Sequence, residues 1–115
     1  MPLNHVALAV SDRDASAAFY GEHFGFTEVV FEEGDLLILG AADGSELALS
    51  DADPVPDLPR TVHFGFRLAD AAAVHAARER FRLAGLAETE WQDDGRFTRV
   101  QVADPDGYRV EVYAH

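Results

Sequence analysis

Two halves of this 115-residue chain repeat one order of chemistry and hydropathy, and an internal repeat at this length leaves few folds open. Asn4-His5-Val6-Ala7-Leu8-Ala9-Val10 runs into a helical stretch and leads, through short alternating runs, to one that contains Glu46. Val62-His63-Phe64-Gly65-Phe66-Arg67-Leu68 does the same and leads to a run that contains Glu111. A histidine and a carboxylate thus stand on equivalent strands of each copy. If the halves pack about a pseudo-twofold axis, the four side chains converge on one point.

The alternation of Val6, Leu8 and Val10 with His5, Ala7 and Ala9 predicts a half-buried strand over 3–10. Ser11 or Asp12 can cap a helix over 13–24, with Ala15, Ala18 and Phe19 as its apolar stripe and Gly25 as its left-handed end. Strands near 27–32, 36–40 and 45–50 follow, separated by Gly34-Asp35 and Asp43-Gly44. Asp51 to Arg60, with Pro54, Pro56 and Pro59, reads as a connector, since proline cannot donate to a ladder. The second copy has a strand near 62–68, an Asp70-capped helix with Val74, Ala77, Phe81 and Ala84 at helical spacing, and Gly85 as its stop. Strands near 87–92, 97–103 and 108–113 complete it, the last two joined by Asp104-Pro105-Asp106-Gly107. The expected organisation is one α+β domain: a βαβββ module over about 1–50, a linker over 51–60 and a second βαβββ module over about 61–115. Each module is a small curved mixed sheet with one face left to line a cup-shaped cavity.

Composition narrows the partners. A formal charge of −12 with nine basic residues repels phosphate backbones and anionic lipid, which argues against nucleic acid and membrane partners. No apolar run approaches the roughly 20 residues that span a bilayer. The start has neither the basic stretch nor the apolar run of a signal peptide, and there is no cysteine to oxidise. The cytoplasm is the expected compartment.

Strand parity aims the four polar residues. Leu47 and Leu49 form one row and leave Glu46 with Ala48 and Ser50; Val110 and Val112 leave Glu111 with Arg109 and Tyr113. His5 and His63 alternate with their own apolar neighbours in the same sense, so all four choose the cavity side. Two imidazoles with one or two carboxylates suit a divalent ion such as Ni, Zn, Fe, Mn or Co. One carboxylate leaves a facial triad with open positions, and two give four protein ligands, so Glu46 decides between them. Arg67 and Arg99 fall on the same row. Trp91, Phe97 and Tyr113 could line a cavity that stacks flat molecules, or could be core or dimer packing. His23, His75 and His115 read as plain surface residues.

Asn4-His5-Val6-Ala7-Leu8-Ala9-Val10, Ala18-Phe19-Tyr20 with Phe24-Gly25-Phe26, and Asp104-Pro105-Asp106-Gly107-Tyr108-Arg109-Val110-Glu111-Val112 resemble the vicinal oxygen chelate superfamily. That group includes glyoxalase I, extradiol dioxygenases, fosfomycin-resistance thiol transferases and bleomycin-binding proteins, and the resemblance covers essentially the whole chain. It implies the glyoxalase/bleomycin-resistance/dioxygenase fold, with His5, His63 and Glu111 as the shared metal triad and Glu46 as the added ligand of the glyoxalase I branch. The segment Trp91 to Val102 has no lysine and no serine-rich phosphonate loop, which lowers the thiol-transferase branch. The chain is also much shorter than typical dioxygenases. The resemblance therefore implies a metal-dependent lyase or isomerase on a small oxygen-chelating substrate, with Glu46 or Glu111 moving the proton. The alternatives are a metal-free antibiotic binder of the bleomycin-binding type, a facial-triad dioxygenase or a thiol transferase. Open sheet edges favour a homodimer.

Overall fold

Strand β1 (His5–Val10) buries Leu8 and Val10 and exposes His5 and Ala7, as its alternation requires. Helix α1 (Arg13–Phe24) follows, then β2 (Glu28–Glu33), β3 (Leu36–Gly40) and β4 (Glu46–Asp51). The Asp12 carboxylate accepts from the backbone N–H groups of Asp14 and Ala15, and Gly25, at φ 78°, ends the helix in the left-handed region. The buried face of α1 is Ser16 and Tyr20, not the expected Ala15, Ala18 and Phe19. Tyr20 is fully buried among Phe19, Phe24 and Phe26, and its large ring outweighs two methyl groups in choosing the inward face.

The computed structural model describes residues 1–115; these elements form one unit, Met1–Asp57, and the second unit is Leu58–His115. The second contains β5 (His63–Arg67), α2 (Ala71–Leu83), β6 (Glu88–Asp93), β7 (Thr98–Ala103) and β8 (Arg109–Ala114). Asp70 caps α2 through the Ala73 N–H, and Val74, Ala77 and Phe81 are buried as their spacing predicts, whereas Ala84, expected with them, is the exposed C-cap. Val100, Val102, Val110 and Val112 form the apolar row of β7 and β8, which α2 contacts.

Both sheets have the same topology. Their orders are β1-β4-β3-β2 and β5-β8-β7-β6, with the first pair parallel and the rest antiparallel. The fold is α+β, two mixed sheets each with its helix. Strand bounds fall within a residue or two of those expected from alternation.

The registers differ between the copies. His5 and His63 stand at the same spacing before the capping aspartates Asp12 and Asp70, yet His5 pairs with Glu46 while His63 pairs with Arg109. Glu111 lies opposite Gly65, two residues further on, so its register counterpart in β4 is Ala48. A shift of two preserves the face and changes the position along it. The two glutamates therefore share a face without being equivalent.

Candidate functional site

In the second unit, pairing lines up two rungs across all four strands. Gly65, Glu111, Gln101 and Glu90 form one; Arg67, Tyr113, Arg99 and Gln92 form the next. They occupy the face opposite the valine row, because side chains alternate along β7 and β8. A cavity of about 480 Å³ opens there, lined by Arg60, Thr61, His63, Glu90, Phe97, Arg99, Gln101, Glu111 and Tyr113. This is within the usual volume of small-molecule sites.

Arg99 is the hub. Its Nη1 donates to Glu90 Oε2 at 2.6 Å and Glu111 Oε1 at 3.1 Å, and its Nε donates to Gln92 Oε1 at 3.0 Å. The bond from Arg99 holds the Glu90 carboxyl below its ordinary range, and Glu90 in turn raises the guanidinium. Gln101, 2% exposed, donates Nε2 to the same Glu111 Oε1 at 3.2 Å. Two donors thus converge on one oxygen of Glu111. The other, Oε2, faces His63 Nε2 at 3.7 Å, with the Glu111 side chain 12% exposed and the imidazole 37%.

The second ring nitrogen of each histidine fixes the chemistry of the first. His63 Nδ1 lies 3.0 Å from the Thr61 carbonyl oxygen, which only accepts, so Nδ1 donates, and in the neutral imidazole it is Nε2, facing Glu111, that carries the lone pair. His5 Nδ1 lies 3.0 Å from Asn4 Oδ1 in the same arrangement. His5 and Glu46 are register partners, and no hydrogen bond or ion pair engages the Glu46 carboxylate. The first unit therefore offers an imidazole and a free carboxylate, and the second an imidazole and a clamped one. Within either unit no group of three or more His, Cys, Asp or Glu side chains gathers to hold an ion. The donor types and the exposed Nε2 positions nonetheless fit a divalent first-row metal.

Other expected lining residues divide. Phe97, Tyr113 and Arg99 line the cavity, whereas Arg67 donates to the His115 carbonyl and does not. Trp91 is turned to the other face, where it pairs with Val100 and meets the Arg78 guanidinium at 4.0 Å and the His75 ring at 5.1 Å. Glu90, its neighbour, takes the cavity side because adjacent strand residues point oppositely. His75 is bound to Asp93 at 2.8 Å, His23 packs on Phe19 and His115 stacks on Tyr113. Gln101 and Glu90 were not singled out from sequence. Parity on β6 and β7 would have placed both on the right face, and only the register joins them to Glu111.

The sequence model of the Glyoxalase/Bleomycin resistance protein/Dioxygenase superfamily matches residues 2–112. Among solved structures, lactoylglutathione lyase from Agrobacterium tumefaciens is 27% identical with a TM-score of 0.79, over 98% of this chain and 92% of that one. A possible glyoxalase from Bacillus cereus is 26% identical with a TM-score of 0.81, over 97% of each chain. A fosfomycin resistance protein from Listeria monocytogenes is 19% identical with a TM-score of 0.82, over 100% and 93%, a likeness of fold alone. No curated protein matches the chain.

Proposed function

The chain belongs to the glyoxalase/bleomycin resistance protein/dioxygenase superfamily, and from that premise we propose that it is a divalent-metal-dependent enzyme of the glyoxalase type. It is a lyase or isomerase that acts on a small substrate presenting adjacent oxygens. The carrying observation is how the second unit sorts its donors: His63 Nε2 and Glu111 Oε2 face each other, while Nδ1 and Oε1 are engaged elsewhere. His5, with Nδ1 likewise engaged, and Glu46 complete the donor set His5, Glu46, His63 and Glu111. The likeness to lactoylglutathione lyase supports the reaction class.

A bound divalent ion supplies Lewis-acid stabilisation of charge that develops on a substrate oxygen. The chain's own groups do the rest. Glu111, held at Oε1 by Arg99 and Gln101, is suited to stay in place. Glu46 has no partner to break and is suited to take a proton from the carbon beside the carbonyl and return it to the adjacent carbon. Phe97 and Tyr113 give the cavity an aromatic wall.

Protein purified without a histidine tag should contain about one divalent ion per chain by plasma mass spectrometry, and His5→Ala or His63→Ala should remove most of it. His75→Ala, away from the cavity, should not. Full metal retention in both site variants would overturn the proposal. The Phe97 and Tyr113 wall favours a second reading, a metal-free binder of flat molecules. Tight aromatic binding without turnover and without metal would select it.

A further inference from the structure

Glu111 is surrounded by more machinery than a ligand or base requires. Its Oε1 receives Arg99 Nη1 and Gln101 Nε2, and the same Nη1 is tied to Glu90 while Nε is tied to Gln92. Gln101 is buried, yet its own Oε1 has no partner. An unsatisfied buried acceptor destabilises the fold, and an apolar residue of similar size would avoid the penalty. The amide is explained by its donor.

We infer that Arg99 and Gln101 are positioning residues that occupy one oxygen of Glu111, so that only Oε2 is offered to a cation beside His63 Nε2. The inference rests on the metal reading above and concerns residues that the reading leaves without a role. A free carboxylate can rotate and bind through one oxygen or both; a clamped one has a single mode and a fixed direction. Glu90 anchors the clamp from the far side, because a guanidinium bound only to Glu111 would swing with it. Arg suits the task better than Lys, since its rigid fork reaches Gln92 and the two carboxylates at once.

A positioning role and a charge role predict opposite outcomes. A guanidinium close to a cation site repels the cation, so its removal by Arg99→Met should tighten binding if charge were its only contribution, the more so with Glu90 left unpaired. Gln101→Leu should then have no effect, because the amide is neutral. If the pair positions Glu111, both variants weaken binding, Arg99→Met by roughly tenfold, the usual effect of losing a group that orients a ligand.

The test is a calorimetric titration of Co²⁺ into metal-stripped wild type, Arg99→Met, Gln101→Leu and His63→Ala, with visible spectra of each Co²⁺-loaded protein and melting curves to confirm folding. Weaker binding in both positioning variants, with shifted visible bands, is the expected result. The bands report ligand arrangement, which a general loss of stability would leave alone. Equal or tighter binding by Arg99→Met, or unshifted bands in both variants, overturns the inference while leaving the metal reading intact if His63→Ala abolishes uptake. Wild type that takes up no Co²⁺ overturns both. Should Arg99→Met fail to fold, Gln101→Leu alone decides by the same two readouts.

Discussion

Glu111 has two donors on one oxygen, whereas the Glu46 carboxylate has none, and the two should therefore respond differently to the same amide substitution. Glu111→Gln should lower metal content roughly tenfold or more, since an amide oxygen is a poorer donor and its NH₂ would confront Arg99. Glu46→Gln should also weaken metal uptake, but by less, because no protein donor is left confronting the new amide, and it should lose solvent proton exchange into substrate, measured by deuterium incorporation. The reverse pattern would exchange their roles. Gly65 belongs to the same site: a Cβ there would lie 2.8 Å from the Glu111 carbonyl oxygen and 3.0 Å from Glu111 Cβ. Gly65→Ala should cost about 1–3 kcal/mol by overpacking, visible as a lower Tm, and should weaken metal uptake with it. An unchanged Tm would mean that β5 moves aside freely. The face of each of these residues was legible in the sequence, because alternation fixes parity. Their company was not, because a shift of two residues leaves parity unchanged while replacing Glu111 by Arg109 as the partner of His63 and bringing Glu111 opposite Gly65.

Strand β6 and its turn concentrate the ion pairs of the second unit. Arg78 hydrogen-bonds Glu88 and lowers its carboxyl from the usual 4.5; Arg99 does the same for Glu90. His75 is the first cause at Asp93, and the Phe97 and Arg96 backbone N–H groups at Asp94, both lowered from 3.8. Groups depressed on folding contribute stability that is full above their unfolded pKa and lost as pH falls through the folded one. The loss should therefore begin near pH 4.5 and deepen below 3.8. Urea unfolding at neutral pH and at about pH 3.5 should show a fall in stability that Glu88→Gln reduces. An identical fall in that variant would place the acid sensitivity elsewhere. At this scale the sequence was uneven. Three of the four stripe residues expected on α2 are buried, because Val74, Ala77 and Phe81 are all apolar and Ala84 falls at the exposed cap, whereas the buried face of α1 holds Ser16 and the amphipathic Tyr20, which apolar spacing does not mark. Trp91 was undecided for a related reason. Pairing slips between Glu88 and Glu90, and no periodicity announces a bulge.

At the scale of the molecule, every strand ladder closes within its own unit, and no helix is long and apolar enough to cross a membrane. Edge strand β2 exposes Val29, Val30 and Phe31 between Glu28 and the pair Glu32 and Glu33, the charges that keep such an edge from pairing at random. Superfamily members commonly form dimers, and we expect light scattering to give twice the 12.6 kDa chain mass; a monomer at micromolar concentration would refute this. Units of this length are marginal alone, so both should unfold in one transition. Trp91 makes that measurable. It is the only tryptophan, seated between α2 and β6 under the Arg78 guanidinium. Excited at wavelengths that tyrosine does not absorb, its fluorescence is consequently a native optical label for one half of the molecule, the other half, with Tyr20 silent, being dark. Emission followed beside far-ultraviolet dichroism, which samples both halves, should trace a single melting curve, and two separated curves would show the lit half and the dark half coming apart independently.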